Sequence, residues 1–296
     1  MTGLGELLVG LNILEKLGKF WNWLRGKQST KPETVVTRFI RLFESHGVHR
    51  NQIPRFIGHG LTLKDVQDDI SLLAKLDESL LDDVCEKFAV RREWLDGAEK
   101  QIYPYHEFYK YPKNFVEFLD DLELNNREGN LHGVLVSPAE KDGPHAESLL
   151  ILQETIGHVG EKPIYRYYLC DSWPLGYWKA RGYVTACIAI AWKRHAFIHG
   201  VTRPNKEIAQ LIQGETLLGW RGDGIWALRG ERWYPEDMSL QPDAFLDGVD
   251  PERNNFGIES GLKLWLSLEE EGFMDSGIKT GARQLFEREL AKYSNE

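Results

Sequence analysis

Leu80-Leu81-Asp82-Asp83-Val84-Cys85-Glu86-Lys87-Phe88-Ala89-Val90-Arg91-Arg92-Glu93-Trp94-Leu95-Asp96-Gly97 sets the architecture of the N-terminal third of this chain. Leu80, Leu81, Val84, Cys85 and Phe88 recur at three- and four-residue spacing, which places them on one helix face. Trp94 and Leu95 close the unit, and Gly97 marks its stop. Working back toward the N-terminus, Val35, Phe39, Leu42 and Phe43 give a first helix that ends at Gly47. Ile53, Phe56 and Ile57 mark a second, ending at Gly58. Thr62 caps a third, with Leu63 and Val66 expected to face inward. Residues 33–100 therefore read as an all-helical domain.

Working outward from it, residues 1–32 read as an amphipathic helix and a linker. Leu4, Leu7, Leu8, Leu11, Leu14, Leu17, Trp21 and Leu24 form its stripe, and Gln28 to Pro32 break it. Two readings stand for this helix: a packing or dimerisation seam, or a membrane-surface helix with Trp21 and Trp23 at the interface. Residues 101–112 form an aromatic connector. Beyond it, Leu131 to Val136, Leu149 to Thr155 and Ile164 to Leu169 have strand character. A long helix is expected from about Tyr177 to Phe197, apolar nearly all round between Val184 and Trp192. Two polar-faced helices, near 259–271 and 280–293, end the chain. The expected fold class is α+β: a helical N-terminal domain, then residues 113–296 as a small antiparallel sheet packed on helices.

The chain has 296 residues, a formal net charge of −9 and three cysteines. The charge excludes a wholly basic, histone-like coat. It is unevenly distributed. Residues 1–32 carry +3, residues 33–98 carry −3 and the remainder −9. Cys85, Cys170 and Cys187 show neither a disulfide framework nor zinc-ligand spacing, which suits a reducing cytoplasm. No apolar run approaches the ~18 residues of a membrane span, and no secretory signal is read at the N-terminus.

Residues 35–97 resemble the lambda-repressor-like, Cro/Xre helix-turn-helix domains. Gly47-Val48-His49-Arg50-Asn51-Gln52-Ile53 keeps that family's spacing from the first helix into the second. Ile57-Gly58 matches its apolar-Gly stop, and Leu81 to Gly97 its closing valine and Trp-Leu pattern. The departures are a turn lengthened at His59 to Thr62, an early Pro54, and Asp65, Asp68 and Asp69 on the expected recognition helix, Leu63 to Ile70. The resemblance implies a DNA-binding regulator that dimerises on two half-sites. Arg50 and Arg55 would hold phosphates; Asn51, Gln52, Lys64 and Gln67 would reach bases, with Thr62 beside them. The alternative is a protein-interaction or scaffold component, perhaps at a membrane surface, whose helix-turn-helix core does not bind DNA.

No nucleotide-binding or hydrolase motif appears, and no catalytic residue, cofactor or metal site is assigned. His195 and His199 have i, i+4 spacing but lack the glutamate of a zinc-protease motif. Glu154, Asp171 and Glu215 are possible acid–base groups that nothing singles out. Cys170 reads as a structural thiol. Seven of the ten tryptophans fall between positions 173 and 265. Trp173, Trp178 and Trp220, with Arg166, Arg181 and Arg221, suggest a pocket for a planar or anionic ligand or a partner; core packing is the competing account.

Overall fold

The computed structural model describes residues 33–125, 130–139, 146–251, 257–278 and 281–293. The amphipathic stripe of residues 1–32, with both of its readings, lies outside them. Helix α1 (Val35–Ser45) buries Phe39, Leu42 and Phe43 as its spacing foretold, but the fourth buried residue is Val36, and Val35, expected on that face, is half-buried. Gly47 ends it at φ 85°, and the N–H of Val48 reaches back 2.9 Å to the Phe43 carbonyl. That is the left-handed stop for which glycine is suited. A 3₁₀ turn (Arg50–Gln52) and α2 (Ile53–Ile57) follow, with Pro54 in the first turn, where its missing N–H costs little.

Residues 63–70 do not form the expected recognition helix. Residues 63–66 make a turn, and α3 occupies Asp69–Leu73. The cause is local. Asp65 Oδ2 accepts from both the N–H (2.8 Å) and the hydroxyl (2.6 Å) of Thr62. Asp68 then takes an extended backbone, φ −134° and ψ 161°, and caps Ile70 and Ser71. A capping aspartate at this position starts a new helix rather than continuing an old one. Val66 is buried as expected, but Leu63 is 59% exposed. Helix α4 (Glu78–Phe88), capped by Asp77, and α5 (Arg92–Asp96), stopped by Gly97, complete the unit. Arg92 ties the two together through Glu78 (2.6 Å), Asp82 and Asp96 (2.9 Å).

The sheet is larger than expected and is mixed rather than antiparallel. Its strands are β1 (Tyr105–His106), β2 (Leu131–Pro138), β3 (Glu147–Val159), β4 (Lys162–Pro174), β5 (Phe197–Arg203) and β6 (Arg232–Trp233), in the order β1-β4-β3-β2-β5-β6. The β1–β4 and β2–β5 pairs are parallel and the others antiparallel. Strand β5 occupies the end of the expected long helix: α7 (Trp178–Lys193) stops after Lys193, and the chain turns at His195, φ 62°. His199 therefore lies on a strand and shares no helix face with His195.

Alternation along the strands sends side chains to two cores. Val134, Val136, Leu149, Ile151, Tyr167 and Leu169 join Phe39, Phe43, Phe88 and Trp94 of the helical unit in one. Leu135, Leu150, Leu152, Tyr168, Cys170 and Ile198 face the other, with α6 (Pro112–Asn125), α7, α11 (Gly257–Glu270) and α12 (Ala282–Leu290). The result is three layers, with helices on both faces of the sheet. Helix α7 buries eleven of its sixteen residues because it lies between the sheet and α11, which explains its apolar circumference.

The helical unit and the sheet therefore share a core, and Val35–Glu296 forms one compact unit. No break in packing falls at residues 100 or 112. The connector threads between the layers: the N–H of Ile102 donates to the Gly214 carbonyl (2.8 Å), and the Tyr103 hydroxyl accepts from Leu218 N–H (3.0 Å). The chain after α8 (Asn205–Ile212) returns against the end of α1. A Cβ at Gly47 would stand 2.8 Å from Gly222 Cα, so these two backbones approach as only glycine permits.

Candidate recognition surface

The seven residues nominated for DNA contact occupy two adjoining segments, 50–55 and 62–67, and the fold brings part of the set together. Asn51 Oδ1 accepts from Gln67 Nε2 at 3.4 Å. Arg50 reaches the Val66 carbonyl through Nε and Asp69 through Nη2 at 2.8 Å. Its side chain is only 26% exposed, so Arg50 clamps the turn rather than presenting a free cation. Gln52 accepts from the His49 N–H at 3.0 Å and is part of the cap of the 3₁₀ turn. Thr62 is held by Asp65. Arg55 and Lys64 are exposed.

Two carboxylates in the segment 62–73 are held ionised. Hydrogen bonds from the Thr62 side chain and backbone hold Asp65 below the usual carboxylate range. Those from the Ser71 hydroxyl and N–H do the same for Asp68. In the same stretch of chain Leu63, Ile70 and Leu73 are exposed by 59, 84 and 54%. Ile70 and Leu73 are spaced i, i+3 on α3 and share a side of that helix.

The tryptophan–arginine group does not converge on a ligand pocket. Arg166 is bound to Glu154, whose Oε2 also accepts from the Tyr168 hydroxyl at 2.6 Å. Trp173 is fully buried, with its Nε1 donating to the Cys170 carbonyl at 2.9 Å. Trp178 begins α7, and Lys179 Nζ lies 5.0 Å over its ring. Arg181 is buried and donates to the carbonyls of Phe245 (2.9 Å) and Ala244 (2.8 Å), near the end of α10 (Pro242–Leu246), which follows the short α9 (Asp237–Leu240). Burial pushes its pKa down to about 10. Trp220 packs edge-on against Tyr167 at 5.6 Å, and the Arg221 carbonyl accepts from Lys162 Nζ at 2.9 Å. Arg166 and Tyr167 are consecutive on β4 and point to opposite sheet faces, which separates Arg166 from Trp220.

Two of the three acid–base candidates are likewise structural, and the third, Glu215, is exposed on the surface. Glu154 is 2% exposed and paired with Arg166. Asp171, at φ 59° in a bulge of β4, accepts from the N–H groups of Phe108 (2.6 Å) and Tyr109 (2.9 Å). Cys170 and Cys187 are fully buried, and burial raises both thiols. Among the described residues, no three His, Cys, Asp or Glu groups gather as metal ligands.

A cavity of about 420 Å³ does exist, lined by none of the nominated residues. Ser239, Leu240, Trp265, Met274, Ile278 and Arg283 border it. Trp265 follows Leu262 at i+3 like any core position, so the sequence carries no sign that sets it apart. Among the described residues, no helix is long and apolar enough to cross a membrane. No protein-family model matches this chain, and neither a curated protein nor a solved structure does.

Proposed function

We propose that the protein is a recognition component whose helix-turn-helix-like unit binds a partner protein through the lip formed by residues 63–73. The carrying observation is the exposure of Leu63, Ile70 and Leu73 amid Asp65, Asp68 and Asp69. Apolar side chains in water favour burial, at about 25 cal/mol per Å². A phosphate backbone offers them nothing and is repelled by the carboxylates. The fitting partner presents an apolar face edged with lysine or arginine. A second copy of this chain is one such candidate, which light scattering of the full chain decides.

The second reading is DNA binding by a transcriptional regulator, with the sheet-bearing part as sensor. The exposure of Asn51, Arg55, Lys64 and Gln67 favours it. Two double variants separate the readings. Ile70→Asp with Leu73→Asp removes the apolar patch, whereas Arg55→Ala with Lys64→Ala removes the free cations. Loss of a captured protein in the first variant only, with no electrophoretic shift of genomic fragments at low salt, supports the partner reading. A salt-sensitive shift abolished by the second variant overturns it in favour of DNA.

A further inference from the structure

Strand register places three basic groups on one face of the sheet, the face that carries Val134 and Val201 of the shared core. His132 on β2 is opposite Phe197, and His199 stands two residues farther along β5 on the same face. Arg232 on β6 is opposite Val201. Trp226 joins them: its ring lies 5.7 Å from that of His132 and 5.3 Å from that of His199, and the residue is 46% exposed. Arg232 Nη2 donates to the Leu228 carbonyl at 2.9 Å, two residues beyond Trp226. Among the described residues, no carboxylate pairs with His132, His199 or Arg232, although acids outnumber bases 45 to 36 along the chain. Burial, and then His199, push His132 below the ordinary histidine value; burial, and then Arg232, do the same for His199. Both rings are therefore neutral at pH 7 and keep one N–H each. His132 Nδ1 is sealed without a partner, and a bare buried acceptor costs less than a bare buried N–H, so the proton sits on Nε2.

We propose that His132, His199, Arg232 and Trp226 form a surface site for an aromatic carboxylate, whose ring rests on the open part of the indole while its oxygens accept from the guanidinium and the imidazoles. Basic groups gathered without a counter-charge select for an anion, and the exposed indole selects for a flat ring beside it. This site is independent of the recognition lip.

Naphthoate, naphthalenemethanol and propionate test the assignment by NMR titration of the full chain at pH 7. The first carries ring and charge, the second the ring alone and the third the charge alone. Naphthoate is expected to bind about tenfold or more tighter than either, and to move the ring C–H resonances of two histidines toward those of the protonated form. Arg232→Gln, at an exposed position, should weaken naphthoate about tenfold, as loss of a charge-assisted hydrogen bond requires, and change naphthalenemethanol by under about threefold. Trp226→Ala, also exposed, should weaken both ring probes and change propionate by under about threefold. Equal affinities for naphthoate and naphthalenemethanol, undiminished naphthoate binding in Arg232→Gln or in Trp226→Ala, or histidine resonances unmoved at saturating naphthoate would each overturn the assignment.

Discussion

Replacing His46 with glutamine should flatten one part of the pH dependence of stability. His46 follows α1 and is buried between Phe88 of the helical unit and Tyr167 of the sheet, at ring distances of 4.6 and 5.6 Å. Its Nδ1 lies 2.7 Å from the Leu42 carbonyl, to which it donates, and its buried Nε2 has no partner. Burial pushes the imidazole from 6.5 down to about 4. The unfolded chain thus binds a proton between pH 6.5 and 4 that the folded chain refuses. Stability from this residue is complete above pH 6.5 and is lost as pH falls toward 4. At about 1.4 kcal/mol per pH unit, the loss amounts to about 3 kcal/mol.

The wild-type curve alone would hide this. Glu236, 8% exposed with Oε2 unpartnered, is pushed up by burial to about 7. Its contribution runs the other way: the folded state keeps the proton, so stability falls as pH rises from 4.5 to 7, by a similar ~3 kcal/mol. The assay is therefore a difference. Urea unfolding of wild type and His46→Gln at pH 4, 5, 6 and 7 should give a gap that shifts by about 3 kcal/mol across the range. A constant gap would refute the reasoning, because it would mean His46 accepts a proton without penalty and is not sealed against the sheet.

Glu236→Gln should raise stability at pH 8 by up to about 3 kcal/mol relative to wild type and change it little at pH 4, as read by the same urea assay. Arg166→Met strands the buried Glu154 carboxylate and should cost about 3–5 kcal/mol; adding Glu154→Gln should restore more than half, and a single-variant loss below about 1 kcal/mol would show that the ion pair does not form. Gly219→Ala would drive a methyl group into the Ser45 backbone, with no flexible side chain to yield, for about 1–3 kcal/mol of overpacking seen as a lowered Tm. All three thiols are buried, and burial pushes Cys85 up to about 12. A thiol reagent at neutral pH should modify none of them until denaturant is added, so one fast-reacting native thiol would contradict the packing.

What the sequence made legible was whatever a single element could state. The faces of α1 and α4 follow from apolar spacing, and their stops from Gly47 and the valine-Trp-Leu close. The three strand-like stretches lie within β2, β3 and β4. Their true lengths were hidden because β3 and β4 are covered on both faces and so lack a clean alternation. Strands β1 and β6, of two residues each, carry no periodic signal. Strand β5 was absorbed into the helix before it, since Phe197 and Ile198 continue an apolar run.

The candidate sites depended on longer-range facts. Asp68 looks like a helix-surface residue until its capping geometry is seen, and with it goes the expected helix over 63–70. Arg50 looks like a phosphate contact until Asp69 is placed 2.8 Å away. Tryptophans clustered in sequence are separated by strand alternation, and the indole that borders the cavity carries no local mark.

The central claim is that the helical unit is part of the sheet's core and not an independent reading head. Native-state hydrogen exchange across a urea series tests it most directly, by comparing amides of α1 and α4 with those of β3 and β4. The shared core predicts that the slowest amides of both sets converge on one opening free energy and one urea dependence. Exchange of α1 and α4 through a separate, lower-energy opening, with β3 and β4 still protected, would contradict it.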